Sequence, residues 1–133
     1  MEMQITFTGG VRVEARFGPY TVSTDQPPSE GGEGSAPTPF SLFLASLGTC
    51  AGIYVLEFLR HRKLPWEGVT LREIVRSSRE TGMVEDVELD IRLPADFPEQ
   101  YLPAIIRSAE LCAVKKHLER PPAIHVHAIR QQL

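Results

Sequence analysis

Apolar and polar positions alternate through the first third of the chain. Ile5 and Phe7 are followed by Val11, Val13, Ala15 and Phe17, then by Tyr20 and Val22 with Thr21 and Ser23 on the opposite face. A period of two is the signature of half-buried strands. Gly9-Gly10 and Gly18-Pro19 supply the backbone freedom and the fixed φ of tight turns, so the segment predicts an antiparallel meander of three strands. From Asp25 to Pro39 the pattern stops, and DQPPSEGGEGSAPTP reads as a long surface loop, a type that often serves a site.

Phe40 to Arg62 is apolar almost all round, opened by Pro39 and ended before Leu64-Pro65, which predicts a central helix enclosed by other elements. Ala45, Ser46, Gly48, Thr49, Ala51 and Gly52 keep its waist thin. Glycine costs a helix about 1 kcal/mol relative to alanine, so close packing is expected there. Val69–Arg79 and Val84–Leu93 alternate apolar with charged residues around Thr81-Gly82, a second hairpin with one wet face. A short helical piece near Pro98, a helix from Pro103 to Arg120 and a closing strand from Ala123 to Ile129 follow. The order βββ-α-ββ-α-β segregates strands from helices, which places the chain in the α+β class with antiparallel sheets.

A length of 133 residues, 42% hydrophobic and 23% charged, is that of one globular domain over residues 1–133, large enough to bury a core without disulfides or a structural metal. Fourteen Lys and Arg against 17 Asp and Glu leave a net charge of −3, without the basic excess that phosphate neutralisation needs, so no nucleic-acid partner is expected. MEMQITFTGG lacks the basic start and apolar run of a secretory signal, which makes the reducing cytosol, and therefore free thiols, the expected setting. The uncharged stretch Leu42–Leu56 is shorter than the ~20 apolar residues of a membrane span, so it reads as a buried helix and no membrane partner is expected.

Two cysteines carry the candidate chemistry. Cys50 lies mid-helix with Ser46, Leu47, Ile53, Tyr54 and Glu57 on its face, and Cys112 shares a face with Ile105, Ser108, Ala109 and Lys116. Both can be small buried hydrophobes. A reactive cysteine needs more, because a free thiol of pKa ~8.5 is only a few per cent thiolate at neutral pH and burial pushes the pKa higher. A nearby cation is therefore expected. His125 and His127 alternate onto one strand face, but without a CxxC or HExxH pattern they predict no metal site. Gly31, Gly32 and Gly34 follow no strand directly and precede no P-loop Lys, so no cofactor is predicted. The basic group Arg60, His61, Arg62 and Lys63 complements the negative end of the helix dipole.

The run from Gly34 to Cys50, GSAPTPFSLFLASLGTC, resembles the osmotically inducible protein C and organic hydroperoxide resistance family, whose central helix opens with a Pro after a Gly-rich loop and carries a reactive cysteine eleven residues on. Pro39 and Cys50 keep that spacing, and LCAVKKHL from Leu111 to Leu118 looks like the family's second-cysteine helix. The resemblance implies an intertwined homodimer that acts as a thiol peroxidase on organic hydroperoxides and is regenerated by an external thiol. It implies Cys50 as the peroxidatic thiol and Cys112 as the resolving one. It places the active-site arginine before a turn glycine, where Arg16-Phe17-Gly18 fits, with Arg12 as the alternative. Hydroperoxide-reducing members carry Glu directly after the helix-opening Pro, whereas this chain has Phe40, as in a divergent branch of the family. Glu30, Glu33 and Glu57 are the carboxylates considered as substitutes for holding the arginine. The reading from another class is a non-catalytic module of the same fold that holds an apolar ligand or partner.

Overall fold

The computed structural model describes residues 1–130, which divide into two compact units, Met1–Ser46 and Leu47 onward. In the first unit β1 (Gln4–Gly9), β2 (Arg12–Phe17) and β3 (Tyr20–Thr24) form the expected meander, in the order β1-β2-β3. Ile5 pairs with Ala15 and Ala15 with Val22, so the apolar positions share one face across all three strands. The register shifts between Phe7 and Gly9, where the first turn begins.

The loop that follows is built on one carboxylate. Asp25 is 1% exposed; its Oδ1 accepts from the Gln26 N–H (2.8 Å), and its Oδ2 accepts from the Glu33 N–H (3.2 Å), the Ser35 N–H (3.0 Å) and the Ser35 hydroxyl (2.7 Å). The Ser35 hydroxyl and amide, with the Gln26 and Glu33 amides, outweigh the effect of burial and hold this carboxyl far below the usual carboxylate range. At Gly32 a side chain would overlap the Gln26 carbonyl, so only glycine closes this turn.

Helix α1 (Pro39–His61) begins in the first unit and continues into the second. Its stretch from Leu47 packs on the hairpin of β4 (Thr70–Ser77) and β5 (Val84–Arg92), with Leu47, Ala51, Val55, Phe58 and Leu59 buried. α1 is long and apolar enough to span a membrane, with mean hydropathy 1.8, yet this buried stripe makes it the core helix of its unit. Within one chain, the described residues enclose the helix on one side. Ile53 on the same helix is 48% exposed, so one stripe, not the whole circumference, is covered. At the end of α1 the Arg62 guanidinium lies 4.1 Å from the centre of the Phe58 ring and 5.8 Å from that of Tyr101, so this member of the basic group has an aromatic role besides its place at the helix end.

In the second hairpin the pairs Leu71–Ile91, Glu73–Leu89 and Val75–Val87 share one face, while Arg72–Asp90, Ile74–Glu88 and Arg76–Asp86 share the other. Arg76 bridges Asp86 and Glu88 on that outer face.

Two expectations need correction. The single helix from Pro103 to Arg120 is two helices, α2 (Leu102–Ala109) and α3 (Ala113–Glu119). The break falls where Cys112 leaves helical geometry and its sulfur takes the N-cap position, accepting from the Lys115 N–H at 3.4 Å. The face assigned to Cys112 on one continuous helix is therefore replaced by a cap. The closing strand from Ala123 to Ile129 is an exposed segment outside any sheet, with Ile124 at 84% and Val126 at 91% exposure. Alternation makes a strand possible, but a ladder requires a neighbour, and the described residues provide none.

Candidate active site

The second unit brings the two cysteines together. Leu47, Ala51 and Cys112 form a buried cluster, with Cys50, Leu71, Val87, Leu89, Ala109 and Val114 packed around it. Cys50 sits at the edge of the buried stripe of α1 and is half-buried, whereas Cys112 is 1% exposed. Cys112 Sγ lies 3.8 Å from the Leu47 carbonyl oxygen, to which it donates, and it accepts from the Lys115 amide.

The two thiols differ in acidity for reasons visible in the geometry. Burial pushes Cys50 up, but the Val114 amide, the Cys112 sulfur and the Ala113 amide beside it favour the thiolate, and together they bring it below its ordinary value. Cys112 is pushed up chiefly by burial and further by its neighbour Cys50, against the relief supplied by the Lys115 amide. Cys50 is thus the more acidic and Cys112 the less acidic thiol of the pair. A thiolate can attack an electrophilic oxygen or sulfur, and a thiol in contact with it can close a disulfide.

These donors were not read from the sequence. The sequence predicts a cation, because burial alone disfavours a thiolate; here the Val114 and Ala113 amides at the start of α3 offset burial. Arg16 lies on β2 in the first unit, where its Nη2 is 3.4 Å from Glu14 Oε2, and Glu14 is also held by the Ser23 hydroxyl at 3.2 Å. Arg12 donates to Glu33 at 2.7 Å. Of the carboxylates considered for Arg16, Glu33 therefore serves Arg12, and the partner of Arg16 is Glu14, two positions along the same strand face.

An open apolar groove of about 830 Å³ runs beside the cluster between β5 and α2–α3. Leu47, Leu89, Ile105 and Cys112 line it, and Arg92 and Lys115 also border it. On the inner face of β4–β5, Glu73 stands alone among apolar side chains. Its Oε2 lies where a Gly48 side chain would start, which accounts for glycine at the helix waist, whereas Gly52 has open space around it. Among the described residues its Oε1 is buried without a hydrogen-bond partner, and desolvation raises the pKa of this carboxyl against the opposing pull of the Gly48 amide.

The chain combines an antiparallel meander, a cysteine-bearing helix on an antiparallel hairpin and a second cysteine at a helix start. Residues 32–127 match the model of the OsmC-like protein family, and the chain belongs to that family. No curated protein matches it. Among solved structures it is similar to an osmotic stress induced and detoxification response protein from Psychrobacter arcticus, with 22% identity and TM-score 0.73 over 86% of this chain and 85% of that one. It is also similar to the organic hydroperoxide resistance protein OsmC of Legionella pneumophila, at 21% identity and TM-score 0.53 over 89% of each chain. An organic hydroperoxide resistance protein from Elizabethkingia anophelis is 20% identical, with TM-score 0.60 over 91% of this chain and 90% of that one. At these identities the likeness is one of fold.

Proposed function

We propose that the protein is a thiol-dependent peroxidase acting on organic hydroperoxides, with Cys50 as peroxidatic thiol and Cys112 as resolving thiol. The contact between two thiols of opposite acidity shift carries this reading. The names of the Legionella and Elizabethkingia proteins lend it a family-level connection to peroxide stress. The Cys50 thiolate attacks one peroxide oxygen; an S–O bond forms, the O–O bond breaks, and the departing alkoxide takes up a proton to become the alcohol. The Cys50 sulfenic acid is then attacked by Cys112. An S–S bond forms, the S–O bond breaks, and hydroxide leaves with the Cys112 proton as water. An external dithiol reduces the disulfide and is itself oxidised to a disulfide. In this scheme Arg16 is the cation that supports the Cys50 thiolate, with Glu14 in place of the carboxylate that Phe40 does not supply.

The working form in this proposal is a cytoplasmic homodimer. No residue of β1–β3 is buried, Phe7 is 87% and Tyr20 64% exposed, and a second chain would cover such a surface. Light scattering should return twice the chain mass at micromolar concentration, and one chain's mass would remove this part of the proposal.

Stopped-flow mixing of the reduced protein with cumene hydroperoxide and with hydrogen peroxide tests the activity. Rapid loss of both thiols with the organic peroxide, abolished by Cys50→Ser, is the expected result. The apolar groove favours a second reading, a non-catalytic module that holds an apolar ligand. Unreactive thiols in the stopped-flow experiment would select it.

A further inference from the structure

The groove between β5 and α2–α3 reaches one of the two sulfur-bearing residues. Cys112 is on its wall with Leu47, Leu89 and Ile105, whereas Cys50, half-buried on α1, is not. Once a Cys50–Cys112 disulfide has formed, its reduction begins with a thiolate that attacks one of the two sulfurs, and access helps decide which. The attacker comes in line with the S–S bond, from the side of the attacked sulfur away from its partner. A wall that holds Cys112 and omits Cys50 offers that side at Cys112 alone. The leaving group agrees, because the more acidic thiol of a pair departs faster, and that thiol is Cys50.

The wall also describes the attacker. Its floor is aliphatic, and four charged residues border it, Asp90, Arg92, Glu110 and Lys115. Lys115 Nζ is matched by Glu110 Oε1 at 3.9 Å, and Asp90 stands opposite Arg72 in the strand register. Arg92 stands opposite the uncharged Thr70, which leaves it as the cation at the border that can favour an anionic sulfur. Cys112 itself is 1% exposed, so contact with it suits the narrow end of a chain and not a bulky thiol.

We propose that the regenerating thiol carries an apolar chain, enters by this groove and attacks Cys112, while Cys50 is left to the oxidant. The incoming thiolate forms an S–S bond to Cys112, the Cys50–Cys112 bond breaks, and its electron pair leaves on Cys50 as thiolate. A second thiolate, on the same molecule in a dithiol, then attacks the sulfur of the bound chain and displaces Cys112, which takes up a proton. The external thiols depart as a disulfide. This route deepens the dithiol reading by naming the sulfur that the reductant attacks, and it rests on that reading.

The test needs no peroxide. The full-length protein is oxidised with diamide, which takes two electrons and two protons from a thiol pair, and is then mixed with butanethiol. Acid quenching at early times stops exchange, and peptic digestion with mass spectrometry locates the mixed disulfide. The butanethiol adduct is expected on the Cys112 peptide, with Cys50 free. An adduct on Cys50 overturns the route and leaves the dithiol reading standing, whereas no disulfide after diamide removes that reading and the route with it. Ile106→Trp on α2 and Leu118→Trp on α3, both at half-exposed wall positions, narrow the groove, and each should slow the release of Cys50 by about tenfold. An unchanged rate in both overturns the groove as the entrance, and so does a change of mass in light scattering, which assigns the groove to a second copy. A protein that ignores peroxide in the stopped-flow experiment yet carries the Cys112 adduct keeps this route and loses only the peroxidase reading.

Discussion

Asp25, buried in the loop of the first unit, and Glu73, half-buried on the inner face of the β4–β5 hairpin with one oxygen out of water, are carboxylates whose acidities move in opposite directions. Asp25 accepts four hydrogen bonds from three residues, while among the described residues Glu73 Oε1 has no hydrogen-bond partner. Donors, not depth, decide whether a buried acid is an anchor or a liability. The cysteines repeat the lesson, because Cys50 gains α3 amide donors and falls while burial dominates at Cys112 and raises it.

The comparison breaks most visibly at Asp25. Asp25→Asn keeps the shape but replaces one acceptor oxygen with an NH2 that must face a backbone N–H, so cleavage within 26–34 under limited proteolysis should quicken by about tenfold or more. Replacing Glu73 by Leu should do the reverse and raise stability by about 1–2 kcal/mol, read from urea midpoints, since it removes a stranded oxygen from an apolar face. Gly48→Ala should cost about 1–2 kcal/mol by driving a methyl into Glu73 Oε2, and most of that loss should vanish in a Glu73→Ala background.

The pH dependence sharpens the contrast. The lowered Asp25 pKa contributes stability that is present above its unfolded value of 3.8 and lost as pH falls below it. The raised Glu73 pKa acts the other way: the folded state binds the proton more tightly, so stability declines as pH rises from 4.5 through the folded value and then levels off. Urea midpoints against pH should therefore lose their acid-side fall with Asp25→Asn and their decline above 4.5 with Glu73→Gln. The smallest effect is expected at Gly52→Ala, where open space leaves only the helix propensity, a gain of about 1 kcal/mol.

The meander, the loop, α1 and the second hairpin were legible because each has an apolar period of its own and glycines or prolines at its ends. The break before α3 was not, because sulfur does not belong to the set of side chains that announce an N-cap, and Cys112 reads as one more apolar residue in a helical run. The amides that lower Cys50 were hidden with it. Glu73 had a usable signal: alternation sets it in line with Leu71 and Val75, so a charged residue on the apolar face stood in the pattern. Glu14 beside Arg16 follows from the same rule, being two positions back on one strand face. For the segment from Ala123 to Ile129, alternation states what can form a ladder but not which strand will pair with it.

The hydrogen bonds that Asp25 accepts from Glu33 and Ser35 also set what the loop can tolerate in evolution. They tie the two ends of the turn, and between them the helical turn Pro28–Glu30, with the Glu30 and Gly32 N–H groups donating to the Pro27 carbonyl, holds the chain as well. An insertion between Gln26 and Gly31 therefore costs those hydrogen bonds on top of the closure entropy, which alone is only about 0.6 kcal/mol per doubling of length. Loop length in this part of the chain is held along with the identities at 25, 32 and 35.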